Sequence, residues 1–451
     1  MNAKTVIPKK ILEKYVENTN VFNTLVVTSF IRNNNITVYN EFLSSFIIQD
    51  ESTFGLDLFH FSGVRTLEDV INLFELAIPK KNSITNGAVY TPKYIREYII
   101  DEVLNRYSGE IRQATIADIS CGCGAFLISV ADRLVDRYGR SYTQAYSQIT
   151  GIDIDAESIT RAKILISLQA AYKHQTIDVN ELKLFVANTL DFDFNNNRFN
   201  IIVGNPPYVR SKNIDEESKL LMTKFEVCKS GNSDLYIPFF QIGMSLLAAN
   251  GILGFITVNT FLKSVNARSL RELFSEGNYS ITIANFGEEL IFKGKLAYTC
   301  LFFAENKQST ELAYSRISSN IVKLKGDISY NNIPFKELDA RKGWNLSDTT
   351  IMEAINRIET AGVPLGKAFN IKNGIATLAN DIFIFQPHSE DETYYFLKFE
   401  GGMQKIEKSI CRDIVKPNIL KSESELDSKI EKVIFPYNGD GVLLSENEFI
   451  S

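Results

Sequence analysis

Residues 81–305 alternate strand-like and helix-like segments, which predicts an α/β fold: a mainly parallel sheet with helices on both faces. Three observations carry this expectation. Thr115-Ile-Ala-Asp118 reads as a strand, followed by the glycine loop Cys121-Gly122-Cys123-Gly124 and a helix running to about Arg137. Ile149-Thr-Gly-Ile-Asp153 reads as a second strand, followed by an amphipathic helix over 157–172. Phe199-Asn-Ile-Ile-Val203 is a further apolar strand that runs into the rigid turn Asn205-Pro206-Pro207-Tyr208. Strands are also expected over 182–187, 252–258, 281–286 and 299–304, with helices over 235–249, opened by Ser233-Asp234, and over 269–275.

The flanking segments differ. Residues 1–80 are apolar-rich and read as mostly helical, with a turn at Asn33-Asn34-Asn35. They carry no nuclease pattern, and a helical cap on the α/β region is expected rather than a docking surface. Residues 306–360 read as a connector containing Trp344 and a helix near 349–359. Residues 361–451 hold short strands at 382–385 and 433–436.

Composition narrows the class. Of 451 residues, 45% are hydrophobic, enough for a substantial core in two or three domains. No apolar run would cross a bilayer, and the first residues lack a secretory core, so no membrane partner is expected. The five cysteines make no zinc pattern with the three histidines, and their odd, sparse count fits a reducing, cytoplasmic setting. No metal is expected. The net charge of −6 opposes global phosphate binding but allows a local basic face. Candidates for such a face are Arg210, Lys212, Lys224 and Lys229, then Lys263, Arg268 and Arg271, then Lys367 and Lys372.

The turn at 205–208 is the most informative stretch. Two prolines fix φ and remove two N–H donors. The Asn205 side-chain oxygen and the Pro206 carbonyl remain as fixed acceptors, with Tyr208 as an aromatic face. This set suits a planar, weakly nucleophilic NH2 group, although a turn that only ends a strand would look similar. Gly122 and Gly124 allow close backbone approach to a ligand, and the following helix start favours a negative group. The dinucleotide fingerprint is absent, because Leu127 occupies its third glycine position. Asp153 at a strand tip is placed to accept from ribose hydroxyls, and Asp155 is the better helix cap. The loop Asn188-Thr189-Leu190-Asp191 either meets an adenine edge or is a polar turn. Tyr90-Thr91-Pro92 reads as a helix start, with Thr91 as the N-cap and Pro92 as the first helical residue.

This ordered set resembles the adenine-N6 DNA methyltransferases of restriction–modification systems in their gamma arrangement. The resemblance is carried by Tyr90-Thr91-Pro92, Asp118-x-x-Cys-Gly-x-Gly, Asp153 and Asn205-Pro-Pro-Tyr208. It covers about residues 85–305, and 360–440 more loosely. It implies a Rossmann-like methyltransferase, an N-terminal helical region, and a partial β-rich target-recognition domain over 361–451. It also implies S-adenosyl-L-methionine as cofactor, held by Tyr90, Thr91, Asp118, Cys121, Gly122, Gly124, Asp153, Asn188 and Thr189. Asn188 stands where the family usually has Asp, and Cys123 where it has Ser or Thr. Asn205, Pro206 and Tyr208 are the implied catalytic set. Pro207, Phe303 and, one alternation away, Phe302 are the implied contacts to the substrate base. Asn205 favours adenine, because cytosine-N4 relatives more often carry Ser there.

The implied partner is double-stranded DNA with a flipped adenine, together with a separate restriction or specificity subunit. Two other readings stay open: an RNA adenine or protein glutamine methyltransferase, and a non-catalytic nucleic-acid-binding subunit of a defence complex. Only fourteen residues follow Tyr437, where family members continue further, so an incomplete recognition module is expected.

Overall fold

The computed structural model describes residues 18–49, 55–77, 90–292, 296–346, 361–370, 380–399, 402–416, 419–438 and 442–445, with a few single residues between them. The chain forms two compact units, Met1–Ala354 and Ile355–Ser451.

Nine strands build one sheet in the first unit, ordered β3-β2-β1-β4-β5-β7-β6-β8-β9. They are β1 Ile116–Asp118, β2 Ile149–Asp153, β3 Lys183–Val186, β4 Phe199–Gly204, β5 Leu247–Val258, β6 Ser280–Leu290, β7 Tyr298–Glu305, β8 Glu311–Arg316 and β9 Asn331–Pro334. From β3 to β5 every pairing is parallel. β7 then inserts antiparallel between β5 and β6. β1 is buried throughout and β4 nearly so, because helices cover both faces; such strands read as continuous apolar runs. The chain winds outward from β1 to β3, then returns to β4 on the other side of β1. In an open α/β sheet that reversal opens a crevice at the carboxyl ends of the strands. The expected Rossmann-like α/β architecture is present.

The helices follow local signals. The helix Ala125–Tyr138 starts at Gly124 and stops at Gly139, both in the left-handed region. Asp155 caps Ala156–Tyr172 by accepting from the Ser158 N–H at 3.0 Å. The helices Thr19–Asn33 and Leu67–Leu76 lie against Ala156–Tyr172. The buried Arg161 ties them together: it donates to Asn23 at 3.2 Å and to the Phe74 carbonyl at 2.9 Å, and it pairs with Glu157 at 3.3 Å. The expected turn at Asn33–Asn35 is present, with Asn35 at φ 52°.

Three expectations fail. The helix expected over 235–249 is Tyr236–Ser245, and residues 247–251 open β5 instead. Asn306 holds that stretch extended by donating to the Leu247 and Ala248 carbonyls at 3.2 and 3.0 Å. Part of the supposed connector joins the sheet: β8 pairs with β6, β9 pairs with β8, and Trp344 is buried beside Phe274 and Phe335. Edge strands with one strongly apolar inward residue, Leu312 in β8, give little periodic signal. The strand expected at 382–385 is only Ile384–Phe385, because Asn380–Phe383 is a helical turn.

The second unit holds two three-stranded sheets around Phe385, Tyr395, Leu397 and Cys411. Lys372 and most of the helix expected near 349–359 lie outside the described residues. Among the described residues no helix is long and apolar enough to cross a membrane.

Candidate active site

A cavity of about 940 Å³ opens at the reversal between β1 and β4. Each parallel strand delivers a polar residue to it where its ladder ends: Asp118 from β1, Asp153 from β2, Asn188 and Thr189 after β3, and Asn205 after β4. Ile154, Ala187, Leu190 and Phe126 supply apolar wall between them. Tyr90, Thr91, Cys121 and Gly122 also line it, so most of the residues singled out in the sequence meet in one place.

The two acids differ in environment. Asp118 is fully buried, which pushes its carboxyl up to about 8; the nearby Asp153 raises it further, and the Ser120 N–H at 3.0 Å opposes both. Asp153 is also raised, first by burial. Its two oxygens accept from the Gly122 N–H at 2.8 Å and the Asp155 N–H at 2.9 Å, so it braces the glycine loop as well as facing the cavity. Gly122 sits at φ +52°, and a side chain there would point into open space. Asn188 accepts from the Leu190 N–H at 3.0 Å, and Thr189 donates to the Ile119 carbonyl at 2.6 Å.

The turn after β4 is held from several sides. The Asn205 side-chain amide donates to the Thr91 hydroxyl at 3.0 Å, and the Asn205 backbone carbonyl accepts from the Ser120 hydroxyl at 3.3 Å. Asn205 and Pro207 line the cavity, and Pro206 is buried. The Tyr208 hydroxyl donates to the Ile256 carbonyl at 3.2 Å, and burial holds its phenol well above the usual range. Its ring lies 5.9 Å from that of Phe292, which does line the cavity. Asp234 is not a helix cap: it accepts from the Ser211 N–H at 2.9 Å and pins the segment that leaves the turn.

Several expected positions move. The helix is Lys93–Arg106 with Pro92 as its cap residue and no side-chain cap bond, so the Thr91 hydroxyl is not spent on the helix. Gly124 does not line the cavity; a side chain there would meet Ala162 at 3.1 Å, so this glycine serves helix packing. Phe303 and Phe302 are buried on opposite faces of β7, and neither lines the cavity. Phe303 lies under Arg106 at 4.8 Å, and Phe302 lies in a cluster with Phe240, Phe261 and Phe274. Along with Tyr90, Tyr94, Phe126 and Phe239, Phe292, just past β6, does line the cavity. The sequence reading missed it because Phe292 lies in a loop outside any strand pattern. Arg271 is also lost as a phosphate contact: it is buried and donates to the Ala340, Phe261 and Ser264 carbonyls. Lys224 is paired with Asp191 and Lys229 with Glu226.

This fold and site define a Rossmann-like α/β domain with a ligand crevice at its switch point. Residues 147–292 match the family model described as Eco57I restriction-modification methylase. Among curated proteins, the chain is 26% identical over 437 residues to the type II restriction enzyme and methyltransferase RM.Eco57I of Escherichia coli, covering 80% of this chain and 43% of that protein. It is 25% identical over 407 residues to the type II methyltransferase M.BstVI of Geobacillus stearothermophilus, covering 81% and 69%. Two solved structures share the fold. DrdV in a DNA complex aligns with TM-score 0.56 and 14% identity over 74% of this chain and 40% of that one. The type IIG restriction endonuclease BpuSI aligns with TM-score 0.53 and 14% identity over 78% and 47%. The chain is thus similar to restriction–modification methyltransferases, and it spans under half the length of the first of these proteins.

Proposed function

We propose that the chain is a DNA adenine-N6 methyltransferase that draws its methyl group from S-adenosylmethionine. The observation that carries this reading is that Asn205 and Pro207, in the turn after β4, line the same cavity as Asp118, Asp153 and the loop residues Cys121, Gly122 and Cys123. The residues present fit the cofactor. The open space at Gly122 would admit a ligand, Asp153 would accept from ribose hydroxyls, and Ile154, Ala187 and Leu190 would pack against a purine ring. When bound, S-adenosylmethionine supplies an activated sulfonium methyl group.

The chain's own task is to hold and desolvate the acceptor. Asn205 and the Pro206 carbonyl accept from the two N–H bonds of a planar amine and favour a pyramidal nitrogen. The prolines keep those acceptors fixed before the substrate arrives, so positioning and electrostatics carry the catalysis. Phe292, rather than Phe303, is the aromatic wall for an extrahelical base, with Tyr208 beside it. Adenine is supported by Asn205 at the first motif position. Unit Ile355–Ser451 is assigned to target recognition.

The test is methyl transfer by the full chain to unmethylated genomic DNA, total RNA and protein in parallel, with methylated positions mapped. Methyl groups on adenine N6 in DNA support the reading. Transfer only to RNA or to glutamine amides replaces it, and cofactor binding with no transfer to any of the three overturns it.

A further inference from the structure

The cavity wall is charged unevenly. Glu75, Asp118, Asp153, Asp155, Asp215 and Glu289 bring carboxyl groups to it, and Lys323 is its one cation among the described residues. A target nucleotide brings its flanking phosphates to such a cavity, and like charges at close range repel. An anionic substrate therefore needs an opposing charge where it enters.

Lys323 is exposed and lies against the part of the wall that β6 builds. It ends the short helix Ser319–Lys323, and Ser319 is tied to Glu289 of β6 through its N–H at 2.9 Å and its hydroxyl. Leu290, Ile291 and Phe292 follow directly and line the cavity. The ammonium is held in place without being neutralised. It donates to the Ser319 hydroxyl at 3.2 Å and lies 5.1 Å from the centre of the Tyr94 ring. Among the described residues no carboxylate pairs with it. Its neighbours differ: Lys325 pairs with Asp101 at 3.4 Å and Lys93 with Glu97 at 3.8 Å.

A second cation stands on the same stretch. Arg316 ends β8, is exposed, and is paired across the ladder with Asn285 of β6. Gly287 sits at φ +63°, and a side chain there would meet the Arg316 guanidinium at 2.7 Å. The absent side chain thus lets the guanidinium lie against β6 close to the residues that lead into the cavity. Arg316 also pairs with no carboxylate among the described residues.

We propose that Lys323 and Arg316 grip the phosphate backbone of the DNA strand that carries the target base, at the cavity mouth beside Phe292. The inference rests on the reading of the substrate as DNA. It adds a backbone contact on a stretch where the sequence suggested only a connector.

Fluorescence anisotropy of the full chain with a fluorescein-labelled unmethylated duplex, over a series of salt concentrations, tests it. One adenine of the duplex stands opposite an abasic site, which lowers the cost of extruding it. Each phosphate contact steepens the fall of log affinity with log salt by about 0.9. Lys323→Met and Arg316→Met should each flatten the slope by about that amount, and the double variant by about twice as much. Lys323→Arg should keep the slope. Lys325→Met removes the same charge just beyond the helix, where it is already paired, and should leave the slope unchanged. S-adenosylmethionine affinity by calorimetry should stay within about twofold in every variant. Unchanged slopes in Lys323→Met and Arg316→Met overturn the proposal. So does an equal flattening in Lys325→Met, which would reduce the effect to net charge. A loss of cofactor affinity in Lys323→Met also overturns it, by giving the lysine to the cofactor's carboxylate. An unsubstituted chain that does not bind the duplex sinks both this proposal and the DNA reading. A chain that shows the expected slopes but transfers no methyl group keeps the grip and loses only the assigned reaction.

Discussion

The two halves of the nine-stranded sheet reach the cavity by different routes. From β3 to β5 all strands run one way, and β1 to β4 each leave a polar residue at the cavity edge. Beyond β5 the direction is mixed: β6 and β8 run parallel to each other, and β7 and β9 run against them. β6 runs with β5 and carries Leu290, Ile291 and Phe292 to the cavity, whereas β7 runs against both. Phe302 and Phe303 lie within β7, paired across the ladder with Phe255 and Gly254, where their rings fill the core. Strand direction, more than residue type, decides which side chains serve the site.

The largest expected effect lies in the parallel half. Asn205→Ala should lower methyl transfer by about 100-fold or more, the scale seen when one fixed hydrogen-bonding group is removed from a reacting centre. S-adenosylmethionine binding by calorimetry should change little, and near-normal turnover would dissolve the special role of the β4 turn.

The antiparallel half is tested by two phenylalanines. Phe292→Ala should lower turnover by about tenfold to a hundredfold, as expected from losing about 1–3 kcal/mol of base stacking. A fluorescent adenine analogue at the target should be held less well in that variant. Phe303→Ala should instead destabilise the fold by about 3–5 kcal/mol, a core deletion read by denaturant unfolding. Equal stability for the two variants would mean that the contrast between β6 and β7 is misdrawn.

Next comes a pair of carboxylates two residues apart. Asp153→Ala should weaken cofactor affinity. Asp155→Ala should cost about 1 kcal/mol of stability through the lost cap and leave affinity intact. Cofactor titrations together with thermal melts separate them; normal affinity in Asp153→Ala would return the ribose role to Asp155.

A separate prediction is a pH dependence. Burial raises the Asp118 carboxyl from 3.8 to about 8, so the folded chain holds this proton more tightly than the unfolded chain. The associated stability is complete below the ordinary value and is lost as pH rises through about 8. Asp118→Asn removes the titration and keeps an acceptor for Ser120. Its melting temperature relative to the parent should climb between pH 5 and pH 8 and then level off. A flat difference across that range would mean that Asp118 is not buried as described.

The sequence exposed the parallel half well. Its strands are short, apolar and punctuated by glycine, proline or acid, so Asp118, Asp153 and Asn205 could be placed at strand ends before any coordinates. The antiparallel half was less legible for physical reasons. β8 and β9 sit at the sheet's far edge with few buried apolar positions, so 311–334 read as connector. Residues 247–251 carry helix-compatible residues, and pairing with β4 and bonds from the distant Asn306 take them out of the helix. Two adjacent aromatics on one strand look alike in a sequence, and their neighbours, Arg106 for one and Phe240 for the other, come from far away in the chain.

Gly204 carries a practical consequence. Its φ is +156°, and a side chain there would come within 2.7 Å of the Asp118 carboxylate. The turn after β4 and the buried Asp118 are thus separated by the width of a missing methyl group. Anyone randomising this turn to change which amine is accepted should hold position 204 fixed. Libraries over 205–208 would sample acceptor preference with the donor side intact. Libraries that include 204 would fill with clones in which both sides of the cavity have shifted, and selection would report folding instead of chemistry.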